Sequence, residues 1–140
     1  MAEYTNAAVQ SVATNQNIVF SETAVNGSKC ITHREGSGII TLRGLTNQCK
    51  AMFRITFNGN IAVPTGGIAG EISIAIAISS EALPSSTAIF TPAAVNTYGN
   101  VTLDTIVSVP QGCCLTIAVK NVTAQTISVQ NANIIVERVS

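Results

Sequence analysis

Apolar and polar residues alternate along four short stretches of the chain: "AMFRITF" (51–57), "EISIAIAIS" (71–79), "VTLDTIVSV" (101–109) and "CLTIAVK" (114–120). A period of two places the apolar residues on one face of a β-strand. Slipping the register by one residue would turn each apolar set toward water, so the register is well specified. The side chains expected to face the core are Phe53, Ile55 and Phe57; Ile72, Ile74, Ile76 and Ile78; Val101, Leu103, Thr105, Val107 and Val109; and Leu115, Ile117 and Val119.

Turn residues separate these stretches and their neighbours throughout the chain. Asn58-Gly59-Asn60, Pro64-Thr65-Gly66-Gly67 and Pro110-Gln111-Gly112 are examples. Val, Ile and Thr, which suit a pleated surface, make up about a third of the 140 residues. Helical periodicity is missing, and "TPAAVNTYG" (91–99) would form one turn at most. The sequence predicts a single all-β domain of about nine or ten antiparallel strands in two packed sheets.

Charged residues are only 10% of the chain, and the formal net charge is zero. The seven basic residues are scattered, so no concentrated positive field is available to bind nucleic acid. The longest apolar runs are too short to span a membrane. A weakly charged surface on a chain with a mean hydropathy of +0.40 indicates that other protein covers much of it.

Catalytic chemistry has few residues to draw on. His33 is the only histidine and Asp104 the only aspartate, and Asp104 falls in the middle of a predicted strand. A Ser-His-Asp site would need both residues and a nucleophilic serine in a sharp turn, which the sequence does not offer. We interpret His33 as a polar residue at a strand end beside Arg34 and Glu35. The expectation is a protein without enzymatic activity and without a cofactor.

The four cysteines, Cys30, Cys49, Cys113 and Cys114, allow several interpretations. With His33 they include enough ligand types for zinc, but Cys113 and Cys114 are adjacent and would point to opposite faces of a strand. Cys30 and Cys49 flank one predicted strand, so a disulfide between them is possible, although such bonds rarely persist in a reducing cytosol. We predict mostly free thiols that pack as small apolar side chains, and no bound zinc.

The last third of the chain, "NVTLDTIVSVPQGCCLTIAVKNVTAQTISVQNANIIVERV" (100–139), follows a distinctive pattern. A long strand ends in a Val-Pro-x-Gly turn, and after a second strand and a polar bend a branched apolar strand closes the domain. This pattern resembles the C-terminal half of tumour necrosis factor-like and complement globular head-like jelly rolls. It is closest to bacterial and phage members such as the globular heads of exosporium collagen-like glycoproteins. The stretches "HREGSGIITLRGLTNQC" and "GNIAVPTGG" also resemble small virion proteins of gut phages.

The resemblance implies a jelly-roll sandwich of about ten strands that assembles as a homotrimer for display or attachment. The expected function is a structural virion component, a capsid decoration or head-fibre protein that contacts phage capsid proteins. A carbohydrate-binding attachment module on a phage tail or bacterial surface, with surface glycans as partners, is the alternative. The N-terminus lacks the basic and apolar regions of a secretory signal, so we expect synthesis in the bacterial cytoplasm and location in the virion. A bacterial cell or spore surface is the alternative location.

Two further expectations concern particular segments. Residues 1–16, polar and rich in Asn and Thr, are expected to form an N-terminal arm or first edge segment, and residues 17–140 the jelly-roll domain. The closing strand is apolar on both faces, since Ile134 and Val136 alternate with Ile135 and Val139. A chain without helices cannot cover its second face, so another subunit is expected to do so. The candidate interface residues are Met52, Arg54, Thr56, Ile135, Glu137 and Val139; Ala75, Ala77 and Ala118 are small enough to permit close approach.

Overall fold

The computed structural model describes residues 2–26, 30–45, 49–79, 81–112 and 114–139. These residues form twelve β-strands and one 3₁₀ turn at Pro84–Ser86, and they contain no α-helix. The strands are β1 (Ala2–Asn6), β2 (Gln10–Val12), β3 (Glu22–Val25), β4 (Ile31–His33), β5 (Ile40–Arg43), β6 (Lys50–Ala62), β7 (Ile72–Ile78), β8 (Glu81–Ala82), β9 (Ala88–Phe90), β10 (Gly99–Pro110), β11 (Cys114–Asn121) and β12 (Ile127–Arg138).

The strands form two antiparallel sheets. Sheet A has the order β10-β6-β12-β1-β3, and the short β2 pairs with one end of β12. Sheet B has the order β4-β5-β11-β7-β8, and β9 pairs with the other half of the β7 edge. Neighbours within each sheet are mostly far apart in sequence, so the chain crosses repeatedly from one sheet to the other. The predicted all-β class and the two-sheet antiparallel architecture are confirmed.

The core lies between the two sheets and contains the predicted alternating sets. Phe53, Ile55 and Phe57 of β6 are fully buried, as are Ile72, Ile74 and Ile76 of β7. Burial of an aromatic or branched aliphatic side chain stabilises a fold by about 1.5–3 kcal/mol. These strands therefore supply much of the energy that holds the sheets together. Three members of the predicted sets, Ile78, Thr105 and Leu115, are only partly buried near the sheet margins.

Within the segment expected to be an N-terminal arm or first edge segment, residues 2–6 and 10–12 form strands of sheet A. Ala2–Asn6 forms β1, which lies between β12 and β3 inside sheet A, with Tyr4 opposite Ile134. Because its alternate side chains Ala2 and Tyr4 fill the core, this segment cannot leave the domain without exposing apolar surface. Residues 17–21, at the start of the expected jelly-roll domain, belong to none of the twelve strands, and Asn17 and Phe20 form the isolated bridges Asn17–Lys120 and Phe20–Ser37.

Four chain crossings between the sheets, at residues 13–16, 63–71, 91–98 and 122–126, meet at one end of the sandwich. Side-chain amides fix them. The buried Asn121 Nδ2 donates to the carbonyl oxygens of Val12 and Gln125, each at 3.0 Å, and its Oδ1 accepts from Thr123 N at 2.9 Å. Both ends of the described chain lie at the opposite end of the sandwich, because Ala2 pairs with Val136.

Candidate functional site

Every second side chain of sheet A points away from the core and builds one continuous surface, the sheet A face. Strand registers arrange these side chains in rows across β10, β6 and β12. Asp104, Thr56 and Ile135 form one row, and Thr102, Asn58 and Asn133 form the next. The rows nearer the chain termini carry apolar and charged residues, and the rows nearer the crossings carry amides. We name the two parts the terminal half and the amide half.

An ion pair crosses the terminal half. Arg54 of β6 reaches Asp104 of β10, with Nη2 to Oδ2 at 2.6 Å and Nε to Oδ1 at 3.1 Å. The hydrogen bonds from Arg54 hold the pKa of the Asp104 carboxyl below its ordinary value. The same hydrogen bonds, aided by the charges of Asp104 and Glu137, raise the pKa of Arg54. Both side chains are about half exposed, so solvent screens the pair and its own contribution to stability is small.

Large apolar side chains surround this ion pair. Ile106, directly opposite Arg54 on β10, is 56% exposed, and Val139 beyond β12 is 46% exposed. Ile135 and Met52 are half-buried. The edge strand β10 and its neighbours β6 and β12 thus present apolar atoms on the face of sheet A that points away from the core. The structure brings all six candidate interface residues, Met52, Arg54, Thr56, Ile135, Glu137 and Val139, onto this one half of the face.

The amide half consists of asparagine and threonine side chains joined by hydrogen bonds. Asn100 Nδ2 donates to Asn58 Oδ1 at 2.7 Å and lies 3.3 Å from Asn60 Oδ1. Thr102 Oγ1 is 3.3 Å from Asn100 Oδ1. On β12, Asn133 Nδ2 donates to Glu3 Oε2 of the neighbouring strand β1 at 2.8 Å. These residues come from four strands, and the neutral amides hold one another in fixed orientations.

A recess of about 340 Å³ opens in the amide half, where the pairing of β12 with β6 is interrupted by a register shift between Gln130 and Asn133. Asn131 at this irregularity has a φ of 55°, in the left-handed region that asparagine tolerates better than most residues. Two residues of β12, Asn131 and Ala132, thus lie opposite the single residue Gly59 of β6, which is the pattern of a β-bulge, and bulges are common next to functional sites. The lining residues are Thr5, Ala7, Asn58, Asn131, Ala132 and Asn133.

Sequence reasoning did not identify the amide half. A signal was available: asparagine or threonine occupies the outward positions 58 and 60 of β6 and 100 and 102 of β10. Outward polar residues in strands are ordinary, however, and only strand pairing shows that Asn58 and Asn100 meet although 42 residues separate them along the chain.

His33 lies away from the sheet A face and serves packing. Its Nε2–H donates to the carbonyl oxygen of Ser37 at 2.7 Å, and its ring contacts Tyr4 and Phe20. Nδ1 is buried and has no hydrogen-bond partner among the described residues. Burial raises the pKa of the Tyr4 hydroxyl. Asp104, the only aspartate, is an outward residue of β10 in the other sheet and is bonded to Arg54, so it does not orient His33.

The described cysteines lie at the end of the sandwich that holds the chain termini. Cys30 is buried, with Arg138 Nη1 3.7 Å from its sulfur, whereas Cys49 and Cys114 are exposed. Within the described residues Cys49 forms no disulfide, and no group of three or more His, Cys, Asp or Glu side chains could hold a metal ion. Cys113 lies outside the described residues, so the prediction that the Cys113 and Cys114 side chains point to opposite faces of a strand stays a prediction.

The terminal half does not include the three alanines that were expected to permit close subunit approach, nor the exposed aromatic residue. Ala75, Ala77 and Ala118 are buried residues of sheet B, on the opposite side of the molecule from the sheet A face. Of the six aromatic residues Tyr98 is the one that is exposed, at 41%; it precedes β10 near the crossings.

Among the described residues there is no helix of the length and apolar character needed to span a membrane.

Comparison with solved structures shows that this chain has a tumour necrosis factor-like, C1q-like jelly-roll fold. The globular domain of zebrafish complement 1qA protein superposes with a TM-score of 0.53 over 96% of this chain and 94% of its own, at 6% identity. The PRD1 vertex protein P5 superposes with a TM-score of 0.51 over 99% of this chain and 96% of its own, at 13% identity. No protein-family model matches the sequence, and no curated protein sequence matches it significantly. The predicted jelly-roll fold is confirmed.

Proposed function

We propose that this protein is a non-enzymatic structural component of a phage virion, a capsid decoration or head-fibre protein, and that it acts as a homotrimer. The observation that carries the proposal is the terminal half of the sheet A face, where Ile106 and Val139 are 56% and 46% exposed beside Met52 and Ile135. A monomeric protein gains nothing from apolar side chains clustered on an outward sheet face. A second subunit would remove them from water, with about 1.5–3 kcal/mol for each side chain that becomes fully buried.

The ion pair fits an interface of this kind. Arg54 and Asp104 already satisfy each other within one subunit, so covering them with a neighbour would not leave an isolated charge in an apolar contact. Glu137 lies opposite Arg54 on β12, and its negative charge also acts on the Arg54 guanidinium. The trimeric stoichiometry is what the sequence resemblance to tumour necrosis factor-like jelly rolls implies. The virion role is supported by the fold shared with a vertex protein, together with the resemblance to phage proteins.

A matched pair of exposed isoleucines tests the assembly. Ile106→Asp places a charge on the terminal half, and Ile89→Asp places the same charge on β9 of sheet B, where Ile89 is 61% exposed. In an isolated subunit both changes are equally harmless, because both side chains already face water. We expect light scattering to give three times the 14.5 kDa chain mass for the wild type and for Ile89→Asp, and smaller species for Ile106→Asp. A folded wild-type monomer at micromolar concentration would contradict the proposal.

The virion role needs its own measurement. Mass spectrometry of purified particles from a host that carries this gene should detect the chain in fixed ratio to the capsid protein. The same particles made without the gene are the control. If particles with an intact gene consistently lack the chain, the role in the virion is wrong even where the trimer is correct.

A further inference from the structure

The recess in the amide half has the chemistry of a small-molecule site. Two alanines, Ala7 and Ala132, line it, and its other lining groups are three amides and one hydroxyl. Lysine and arginine do not line it, so an anionic ligand would find no counter-charge there. Its volume of about 340 Å³ is at the lower end of the range for ligand pockets and suits a single ring rather than a long chain.

Several hydrogen-bonding groups around the recess have no partner within the described residues, and they include both donors and acceptors. Asn58 Oδ1 accepts from Asn100 and Asn133 Nδ2 donates to Glu3, which leaves Asn58 Nδ2 as a donor and Asn133 Oδ1 as an acceptor. The side chains of Asn131 and Thr5 make no hydrogen bond within the described residues, so each offers both a donor and an acceptor. Neighbouring hydroxyl groups of a sugar also donate and accept at once, and they would match such a set.

Two features make the set ready for a ligand. The hydrogen bond that Asn100 Nδ2 donates to Asn58 Oδ1 fixes the orientation of the Asn58 amide before anything binds, which lowers the entropy cost of binding. The left-handed conformation of Asn131 projects its amide at the edge of the recess. Glu3 adds a negative charge beside Asn133, and this charge would repel carboxylated sugars.

From this arrangement we infer that the recess at Asn131 binds a neutral sugar ring, with Asn58, Asn131, Asn133 and Thr5 bonded to its hydroxyls and Ala7 against its apolar face. The inference goes beyond the proposed assembly and does not depend on it, because the proposed subunit contacts lie in the terminal half. A ligand of this size, held without an aromatic platform, should bind with a dissociation constant of about 1 mM.

The probes for the test are the methyl glycosides of galactose, glucose, mannose and N-acetylglucosamine, with methyl glucuronide as the acidic comparison. Each is titrated into isotope-labelled protein, and the amide chemical shifts are followed by NMR. At least one neutral glycoside should shift residues 5–7, 58 and 131–133 with a saturable curve, and the glucuronide should bind at least ten-fold more weakly. Shifts confined to other regions, no saturable shift at ten times the expected constant, or equal binding of the glucuronide would each overturn the inference.

A second matched pair of variants assigns the site. Asn131→Gly removes the amide and keeps the left-handed backbone; Asn15→Gly makes the same change at another exposed asparagine, with a φ of 64°, in the crossing at residues 13–16. We expect about ten-fold weaker binding for Asn131→Gly, since two hydrogen bonds are lost, and unchanged binding for Asn15→Gly. Equal affinities in the two variants would refute the site. Light scattering on the same samples separates this result from the trimer: a monomer that binds contradicts only the assembly, and a trimer that does not bind contradicts only the sugar site.

Discussion

The imidazole of His33 lies against the phenol ring of Tyr4, with the ring centroids 4.4 Å apart and the ring planes inclined by 39°. His33 ends β4 at the margin of sheet B, and Tyr4 belongs to β1 in sheet A. Phe20, from the segment before β3, meets the same imidazole edge-on and also contacts Phe57. These rings therefore connect the edge of one sheet to the centre of the other, and the only histidine of the chain is part of the structure that holds the sheets together.

Replacing this ring tests that assignment. His33→Ala should lower the free energy of unfolding by about 2 kcal/mol, because the contact with Tyr4 and the bond to Ser37 are both lost. His33→Phe should recover most of the loss, since the ring contacts return and no unpaired Nδ1 is buried. Urea unfolding followed by tyrosine fluorescence measures both. Thr32→Ala, at an exposed position of the same strand, is the control. A His33→Phe variant as unstable as His33→Ala would argue against the stacking contribution.

The buried amide of Asn121 makes a second stability prediction. Asn121→Ala should cost about 2–4 kcal/mol, because the Val12 and Gln125 carbonyl oxygens and the Thr123 N–H would lose their partner in the interior. Asn100→Ala is the matched control: it removes an amide that also makes hydrogen bonds but is exposed, and its cost should stay below about 0.5 kcal/mol. Thermal unfolding by circular dichroism compares the two. Similar losses in the free energy of unfolding would mean that burial of the Asn121 amide does not set the size of its contribution to stability.

A close backbone approach at the end with the chain termini gives a third prediction. A Cβ built on Gly44 would collide with the carbonyl oxygen of Pro110, so this glycine lets the end of β5 reach the end of β10. Gly44→Ala should destabilise the protein by about 1–3 kcal/mol, since backbone rather than a flexible side chain would have to move. Gly70→Ala should be nearly neutral, because its Cβ would find its nearest neighbour, the carbonyl oxygen of Ile68, at 3.9 Å. Urea midpoints of the two variants decide the point, and equal midpoints would contradict it.

The ion pair predicts a particular pH dependence. The pKa of Asp104 is lowered in the folded protein, mainly by its hydrogen bonds with Arg54, so the stabilisation is present above the ordinary carboxyl value of 3.8 and disappears as the pH falls through the lowered value. Asp104→Asn should therefore have a slightly lower urea midpoint than the wild type near neutral pH, and the difference should vanish in strong acid. The effect is small because the pair is exposed. A difference that grows on acidification would have the wrong sign. Glu71→Gln, at an exposed position outside the sheet A face, is the control.

Much of the fold was predictable because strand alternation is a local property. Phe53, Ile55 and Phe57 had to share a face once their segment was extended, and covering that face required a second sheet. The placement of β1 was not predictable in the same way. Residues 2–6 look like a polar arm in isolation, and only their pairing with Ala132–Val136, some 130 residues away, shows that Ala2 and Tyr4 complete the core.

The terminal half and the amide half of the candidate site also differ in how far the sequence alone predicts them. The closing strand carries apolar residues on both faces, so the sequence by itself determined that Ile135 and Val139 would lie on the face away from the core. The amide half was decided by tertiary structure alone. Asn58, Asn100 and Asn133 become neighbours because β6 lies between β10 and β12, and Asn131 marks a recess because the pairing of β12 is interrupted there. Strand order is set by how the whole core packs, and no short stretch of sequence contains that information.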